Sequence, residues 1–321
     1  AANKKIWGNE GATIYDLGDE VIGLEFHTKM NSLGQEVVEG INTAITMAEK
    51  SFKGLVIGNE GGNFSAGANL AMLYMFAGDQ EFDEINLMIA QFQDTMLRAR
   101  FSSVPVVVAP HNMALGGGCE LSLHADAVQA HAELYMGLVE VGVGLIPAGG
   151  GTKEMTMRFS QNIEKGDVEL NRLQETFMNI ATAKVSTSAA EAYNLGFLEQ
   201  KDAITINRKR QLAEAKEKVI ALYDAGYTQP IEKKDIKVLG KSSLALFETG
   251  ISGMRYGAYI SEHDAKIAKK LAWIMSGGDL SSPTERYLLD LEREAFLSLT
   301  GEKKTLERIH SILFKGKPLR N

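Results

Sequence analysis

Ala114-Leu115-Gly116-Gly117-Gly118-Cys119-Glu120, with Gly137-Leu138-Val139-Glu140-Val141-Gly142-Val143-Gly144-Leu145-Ile146-Pro147-Ala148-Gly149-Gly150-Gly151 further on, is the part of the chain whose reading decides the fold. In the first stretch three glycines end an apolar strand and open a helix. They let the backbone approach a ligand closely and leave N–H groups pointing outward, which makes a place for an oxyanion. In the second, Glu140 sits among apolar residues and glycines, where desolvation disfavours the charged carboxylate and suits the group to proton transfer. Two carboxylates and a set of backbone donors point to acid–base chemistry on a polarised carbonyl. Neither run has the Gly-x-Gly-x-x-Gly spacing of a dinucleotide loop, and no Gly-Lys-Ser/Thr follows either as a phosphate loop requires.

Upstream, Thr13–Leu17 and Val21–Phe26 read as two strands reversing at Gly18-Asp19. Val37, Val38, Ile41, Ile45 and Ala48 recur at helical spacing between Gly34 and Lys50, and Gly54–Ile57 is a short buried strand that delivers the chain to a loop rich in Gly and Asn at Gly61–Gly67. Asp83–Arg100 is a second helix with Ile85, Met88, Ile89, Phe92 and Met96 on one face. Pro105–Ala109 is a buried strand expected to feed the glycine run directly, which places Gly117 at a helix N-terminus. Beyond Gly151 the pattern is helical to about Ala183. Asn207–Tyr223 is an amphipathic helix, further helices follow from Ser242, and the last runs from about Thr305 to Phe314.

The composition narrows the class. The 321 residues are 45% hydrophobic and 23% charged, an ordinary soluble balance with ample material for a core. A net charge of −7 and the lack of a basic cluster argue against a nucleic-acid face. Cys119 is the only cysteine, so no intrachain disulfide forms, and a reducing, cytoplasmic setting is the simplest expectation. Flanked by glycine and an apolar helix, Cys119 reads as a small buried filler rather than a nucleophile. No secretory signal or membrane-spanning run is expected. The six histidines form no metal-binding pattern, and Ser65 and Ser122 lack a nucleophile-elbow context.

Taken together these residues resemble the enoyl-CoA hydratase (crotonase) superfamily. The match rests on Asn63-Phe64-Ser65-Ala66-Gly67-Ala68-Asn69-Leu70, similar to that family's first oxyanion loop, on the Gly-Gly-Gly-Cys-Glu run, and on the second glutamate twenty residues on. It extends to Asn31-Ser32-Leu33, to Ser188-Ala189-Ala190-Glu191-Ala192 and to Gly196-Phe197-Leu198, and covers residues 12–151 and 185–203 well. The glutamate spacing is the specific part, shared by the hydratases rather than by every member.

The resemblance implies an α/β fold, a crotonase-like ββα spiral core with an extended helical C-terminal region. The division expected is a catalytic core over 1–205, with 152–187 an expanded helical segment, and helices over 206–321 that mediate trimer formation in the family. A homotrimer or dimer of trimers follows. It further implies that Ala68 N–H and Gly117 N–H hold the thioester oxygen of a trans-2-enoyl-CoA, that Glu120 activates a water held between the two glutamates for attack at C3, and that Glu140 supplies the proton at C2. Ala66 and Leu70 would line the path of the coenzyme A thioester, which is the substrate; no cofactor or metal is called for. Two positions depart from the pattern: Asn69 stands where the family commonly has Asp, and Leu138-Val139 replace a polar residue and proline before the second glutamate. The orientation of Glu140 is the point this puts in question.

Other readings stay open. An enoyl-CoA isomerase on the same fold needs a single well-placed carboxylate, and an idle acyl-CoA-binding module needs none. The start at Ala1 without methionine, the expanded helices and the Gly-Lys-Pro-Leu-Arg-Asn terminus resemble the hydratase end of a fused fatty-acid oxidation protein whose other part is a 3-hydroxyacyl-CoA dehydrogenase. No dinucleotide fingerprint lies in these residues, so that activity would reside elsewhere.

Overall fold

The computed structural model describes residues 4–163, 166 and 168–321. Ala1-Ala2-Asn3, where the chain starts without methionine, and Glu164, Lys165 and Asp167 of the expanded segment lie outside the described residues. In chain order the elements are β1 (Lys4–Gly8), β2 (Ala12–Asp16), β3 (Val21–Phe26), α1 (Gln35–Ser51), β4 (Gly54–Ile57), α2 (Leu70–Gly78), α3 (Phe82–Arg100), β5 (Val106–Val108), β6 (Asn112–Leu115), α4 (Gly117–Leu123), β7 (Ala127–His131), β8 (Leu134–Gly137), α5 (Gly151–Gln161), α6 (Glu169–Ala181), α7 (Ala189–Asn194), β9 (Ala203–Thr205), α8 (Gln211–Asp224), α9 (Gly240–Tyr256), α10 (Glu262–Met275), α11 (Glu285–Thr300) and α12 (Lys303–His310). They pack as two compact units, each made of three separate segments: 1–69, 94–137 and 185–231 in the first, 70–93, 138–184 and 232–321 in the second.

The first unit is built on a sheet of order β1-β2-β3-β4-β5-β7-β9, with a separate parallel pair β6-β8. The expected hairpin is present. β2 and β3 pair antiparallel from Ala12↔Phe26 to Asp16↔Ile22, and Leu17 N–H closes the turn on Val21 O at 2.9 Å. From β3 onward the pairing is parallel, with Val21↔Gly54, Leu55↔Val106, Val107↔Ala127 and Gln129↔Ala203. Parallel strands are covered on both faces and read as continuous apolar runs, which is why Gly54–Ile57 and Val106–Val108 are buried throughout. On one face Val56, Val107 and Ala127 pack with Ala215 and Val219 of α8. The contact leaves no room at Gly54, where a Cβ would stand 2.6 Å from Val219 Cγ1 and 2.5 Å from Pro105 O. α1 buries Val37, Ile41, Ile45 and Ala48 of the anticipated stripe, and packs so closely on β2 that a Cβ on Gly40 would meet that of Ala12 at 2.7 Å.

One local expectation is corrected. The glycine run is fed not by the 105–109 strand but by β6, a short strand that begins after Pro110-His111 and pairs with β8 from Asn112↔Leu134 to Leu115↔Gly137. Pro110 supplies no N–H to continue the main sheet, and Asn112 takes a left-handed φ of 47°, so the chain turns out of β5 and starts again.

The second unit is helical, as the sequence beyond Gly151 suggested, and α12 hands over at His310 to a π-helical turn over Ser311–Lys315. α10 starts with a reciprocal capping box between Ser261 and Asp264. Phe177 of α6 stacks on Phe247 of α9 with ring centroids 4.4 Å apart. Charges are also buried here. Lys153 on α5 pairs with Glu154 and, at 3.2 Å, with Glu285 Oε2 of α11, all three essentially without exposed surface. Glu292, one α-helical face along from Glu285, accepts Gly150 N–H at 2.9 Å and Lys153 N–H at 2.5 Å. A helix start has backbone donors without intrahelical partners; Gly150 brings no side chain to cap α5, and a carboxylate from α11 does so instead. Among the described residues no helix is long and apolar enough to cross a membrane.

Candidate active site

The loop from Asn59 to Asn69 owes its shape to amide side chains. Its glycines and asparagines form no ladder of their own, so each carbonyl needs an outside donor. Asn59 Nδ2 donates to Phe64 O at 3.0 Å, Asn31 Nδ2 to Asn63 O at 2.9 Å, Asn112 Nδ2 to Gly62 O at 2.8 Å, and His111 Nε2 lies 2.8 Å from Gly61 O. Further along, Ser65 N–H bonds Met113 O and Leu115 N–H bonds Ser65 O, so the loop runs beside β6 like a short extra strand. The Ser65 hydroxyl donates to Asn31 O at 2.7 Å and accepts Gly67 N–H at 3.1 Å.

That seating brings the loop onto the glycine run. A Cβ on Gly67 would stand 2.9 Å from Leu115 O and 3.4 Å from Gly117 N, so only glycine permits the approach. Gly116 takes φ 52°, ψ −121°, a backbone open to glycine alone, and this sharp corner lets α4 begin at Gly117 straight out of β6. Leu33 N–H bonds Gly67 O at 2.9 Å on the far side of the loop. Ala68 N–H and Gly117 N–H, by contrast, donate to no described residue. Ala68 is exposed and Ala66 half-buried. Glu120, on the first turn of α4, is 3% exposed, and Cys119 beside it is fully buried. The first unit therefore brings together Ala66, Ala68, Gly117 and Glu120, four of the residues picked out from the sequence.

Glu140 and Leu70 belong to the second unit. Leu70 is the first residue of α2. Glu140 opens a 3₁₀ turn, Glu140–Val143, that ends on Gly144 in the left-handed region, with Leu145 N–H bonded back to Glu140 O at 3.0 Å. The residue is half-buried and its Oε2 is shielded from solvent. Among the described residues no group of three or more His, Cys, Asp or Glu side chains is placed to hold a metal.

Sequence reasoning passed over the residues that hold the loop. Asn59, Asn112 and His111 carry no motif, and Ser65, although within the stretch that carries the resemblance, has no signal there of its bonds to Asn31 and Gly67. The available signal was the density of asparagines around Gly61–Gly67: side-chain amides are the natural donors for a loop whose carbonyls lack a ladder.

Residues 18–165 match the family model described as enoyl-CoA hydratase/isomerase. Those residues belong to that family. The chain is 47% identical over 316 residues to a "Probable 3-hydroxyacyl-CoA dehydrogenase" of Bacillus subtilis, covering 98% of this chain and 40% of that protein. It is 27% identical over 286 residues to the "Peroxisomal bifunctional enzyme" of Cavia porcellus, covering 87% of this chain and 35% of that one. The chain thus spans two fifths or less of the length of these relatives. The crystal structure of an enoyl-CoA hydratase from Bacillus halodurans superposes with a TM-score of 0.62 at 17% identity, over 94% of this chain and all of that one, which shows the shared crotonase fold.

Proposed function

We propose that this chain is an enoyl-CoA hydratase, adding water across the double bond of a trans-2-enoyl-CoA thioester. The observation that carries the reading is the pair of unspent donors, Ala68 N–H and Gly117 N–H, on two backbone segments that Gly67 seats against each other. Backbone N–H groups held in place before the reaction stabilise an oxyanion without reorganising, typically the largest single contribution to such chemistry. A thioester oxygen accepting both becomes more negative, C3 becomes electrophilic, and the enolate that follows is stabilised. Glu120 takes a proton from water as its oxygen bonds to C3, and Glu140 gives a proton to C2. The hydroxyl ends on C3 and a hydrogen on C2; a proton passing from Glu120 back to Glu140 through solvent restores both groups. Addition of water requires no electron acceptor, so no redox cofactor enters. Ala66 and Leu70 line the coenzyme A path in this reading.

The product, a 3-hydroxyacyl thioester, is the substrate class named in the Bacillus subtilis relative. The chain would then be the hydratase part of a longer polypeptide that oxidises this product elsewhere, in a cytoplasmic assembly held together by the helices after Ser242. The deciding measurement is the absorbance of the enoyl thioester after this chain is added to crotonyl-CoA and to longer enoyl-CoAs. Loss of the conjugated absorbance with no added cofactor supports hydration. Double-bond migration without hydration would replace the reading by isomerisation, and binding without turnover would reduce the chain to an acyl-CoA-binding module.

A further inference from the structure

The turn that carries Glu140 is fastened from α12, more than 160 residues away in sequence. Thr305 is fully buried, and its hydroxyl donates to Gly144 O, the residue that ends the turn, at 2.9 Å. A hydroxyl has one proton; with that proton spent on Gly144, Thr305 Oγ1 must accept from His263 Nε2, 2.9 Å away, so His263 carries its proton on Nε2. One turn along α12, Arg308 is 1% exposed. It pairs with Asp264 Oδ1 at 2.8 Å, and its Nη1 donates to Val141 O within the turn at 3.4 Å. The fit is close at the level of the backbone: a Cβ on Gly144, at φ 87°, would stand 2.9 Å from Thr305 Cα.

These bonds end on two main-chain carbonyls that follow Glu140, Val141 O directly after it and Gly144 O at the end of the turn. The turn is only four residues long, and its own bonds are all between main-chain groups: Gly142 N–H reaches Val139 O, Gly144 N–H reaches Glu140 O and Val141 O, and Leu145 N–H reaches Glu140 O. Thr305 and Arg308 fix the far end of the turn and its middle against the buried face of α12.

We infer that Thr305, supported by His263 and Arg308, is a positioning residue that aims the Glu140 carboxyl at the carbon it protonates. The inference rests on the acid role given to Glu140 in the proposed function. Displacement of a catalytic group by about 1 Å costs on the order of 100-fold in rate, whereas ground-state binding need not change.

The test uses the full chain and enoyl-CoA. Glu140→Gln comes first: undiminished hydration in that variant sinks the acid role itself, whatever Thr305 does. With Glu140 established, Thr305→Val should lower kcat by roughly 10- to 100-fold with KM within about twofold of the parent, and should slow deuterium uptake at C2 in parallel. Thr305→Ser, which keeps the hydroxyl, should restore most of both. His263→Leu, which leaves Thr305 in place and removes the donor behind it, should reproduce a several-fold part of the kcat loss and provides the reading if Thr305→Val fails to fold. Full kcat in a folded Thr305→Val or His263→Leu chain overturns the inference. So does a fall in substrate affinity equal to the fall in kcat, or a Thr305→Ser variant no better than valine, since either would mark a purely structural contact.

Discussion

Ser65 and Gly118 touch so closely that a Cβ on Gly118 would lie 2.7 Å from Ser65 Cβ. Gly118 sits in α4, where alanine is otherwise the better helix residue, so any harm from Gly118→Ala must come from this contact. The variant should lose about 1–3 kcal/mol, the usual range for overpacking, and should lose turnover as well, because Ser65 is pushed back together with the loop that presents Ala68. Urea unfolding and hydratase rate measure the two effects. A stabilised, fully active variant would show that the loop is free to move.

Replacing Glu120 or Glu140 by glutamine should each lower turnover by roughly 10²–10⁴-fold, the range for losing a positioned acid or base. Glutamine keeps the size and hydrogen bonding of glutamate and cannot exchange the proton, and in the proposed reading the thioester is held by backbone N–H groups that neither substitution touches. Affinity for a non-reactive acyl-CoA, measured by calorimetry, should therefore stay close to the parent. If Glu140 protonates C2, its glutamine variant should also lose exchange at that carbon, whereas Glu120→Gln should impair hydration first and spare some isomerisation.

Much of this arrangement was legible beforehand, and the reason is physical. A glycine that permits a close approach leaves its mark on sequence, so Gly67 and Gly116–Gly118 announced the loop and the start of α4, and apolar runs announced the buried strands. Hydrogen bonds between distant residues leave no such mark. Nothing in the periodicity around Thr305 or Arg308 distinguishes a buried clamp from an ordinary helix face, and nothing at Asn59 or Asn112 says which carbonyl its amide will meet. The break at Pro110 was visible as a proline, but the short β6 after it draws its existence from β8, which the local pattern does not contain.

Two groups in the first unit, the buried His111 and the half-buried Asp126, should oppose each other in acid. Burial, aided by the Arg208 guanidinium 3.1 Å away, pushes the His111 imidazole down to about 4 from an ordinary 6.5. Across that interval the unfolded chain binds a proton that the folded chain refuses, so stability falls as pH falls. Burial raises the Asp126 carboxyl from 3.8 to about 6, although Val106 N–H at 2.8 Å and Tyr227 OH at 2.9 Å favour its charged form. Here the folded chain keeps a proton that the unfolded chain releases, so stability falls as pH rises towards 6. Asp126→Asn should therefore lose stability more steeply than the parent from pH 6 to pH 4, and His111→Gln less steeply. Denaturant midpoints at several pH values give the slopes, and identical slopes in all three proteins would exclude the effect.

Lys153→Met removes the cation from between two buried carboxylates, Glu154 and Glu285. Leaving buried charge uncompensated typically costs about 3–5 kcal/mol, far more than the loss of an exposed pair. The unfolding midpoint should fall accordingly. Replacing Lys153 and Glu285 by methionine together should recover part of the loss, and a double variant less stable than the sum of the single ones would contradict this account.

The division of each unit among three segments bears on how the chain can be made. Synthesis runs from the N-terminus, so Lys153 and the start of α5 leave the ribosome well before Glu285 and Glu292 exist to receive them. Until then the first turn of α5 has no cap from α11, and the Lys153 ammonium lacks its Glu285 partner. The first unit meets no such delay, since its last segment ends at Ile231. A nascent chain released at that point would hold a finished sheet and an unfinished helical unit, and it is the exposed apolar faces of that second part that a chaperone would have to cover.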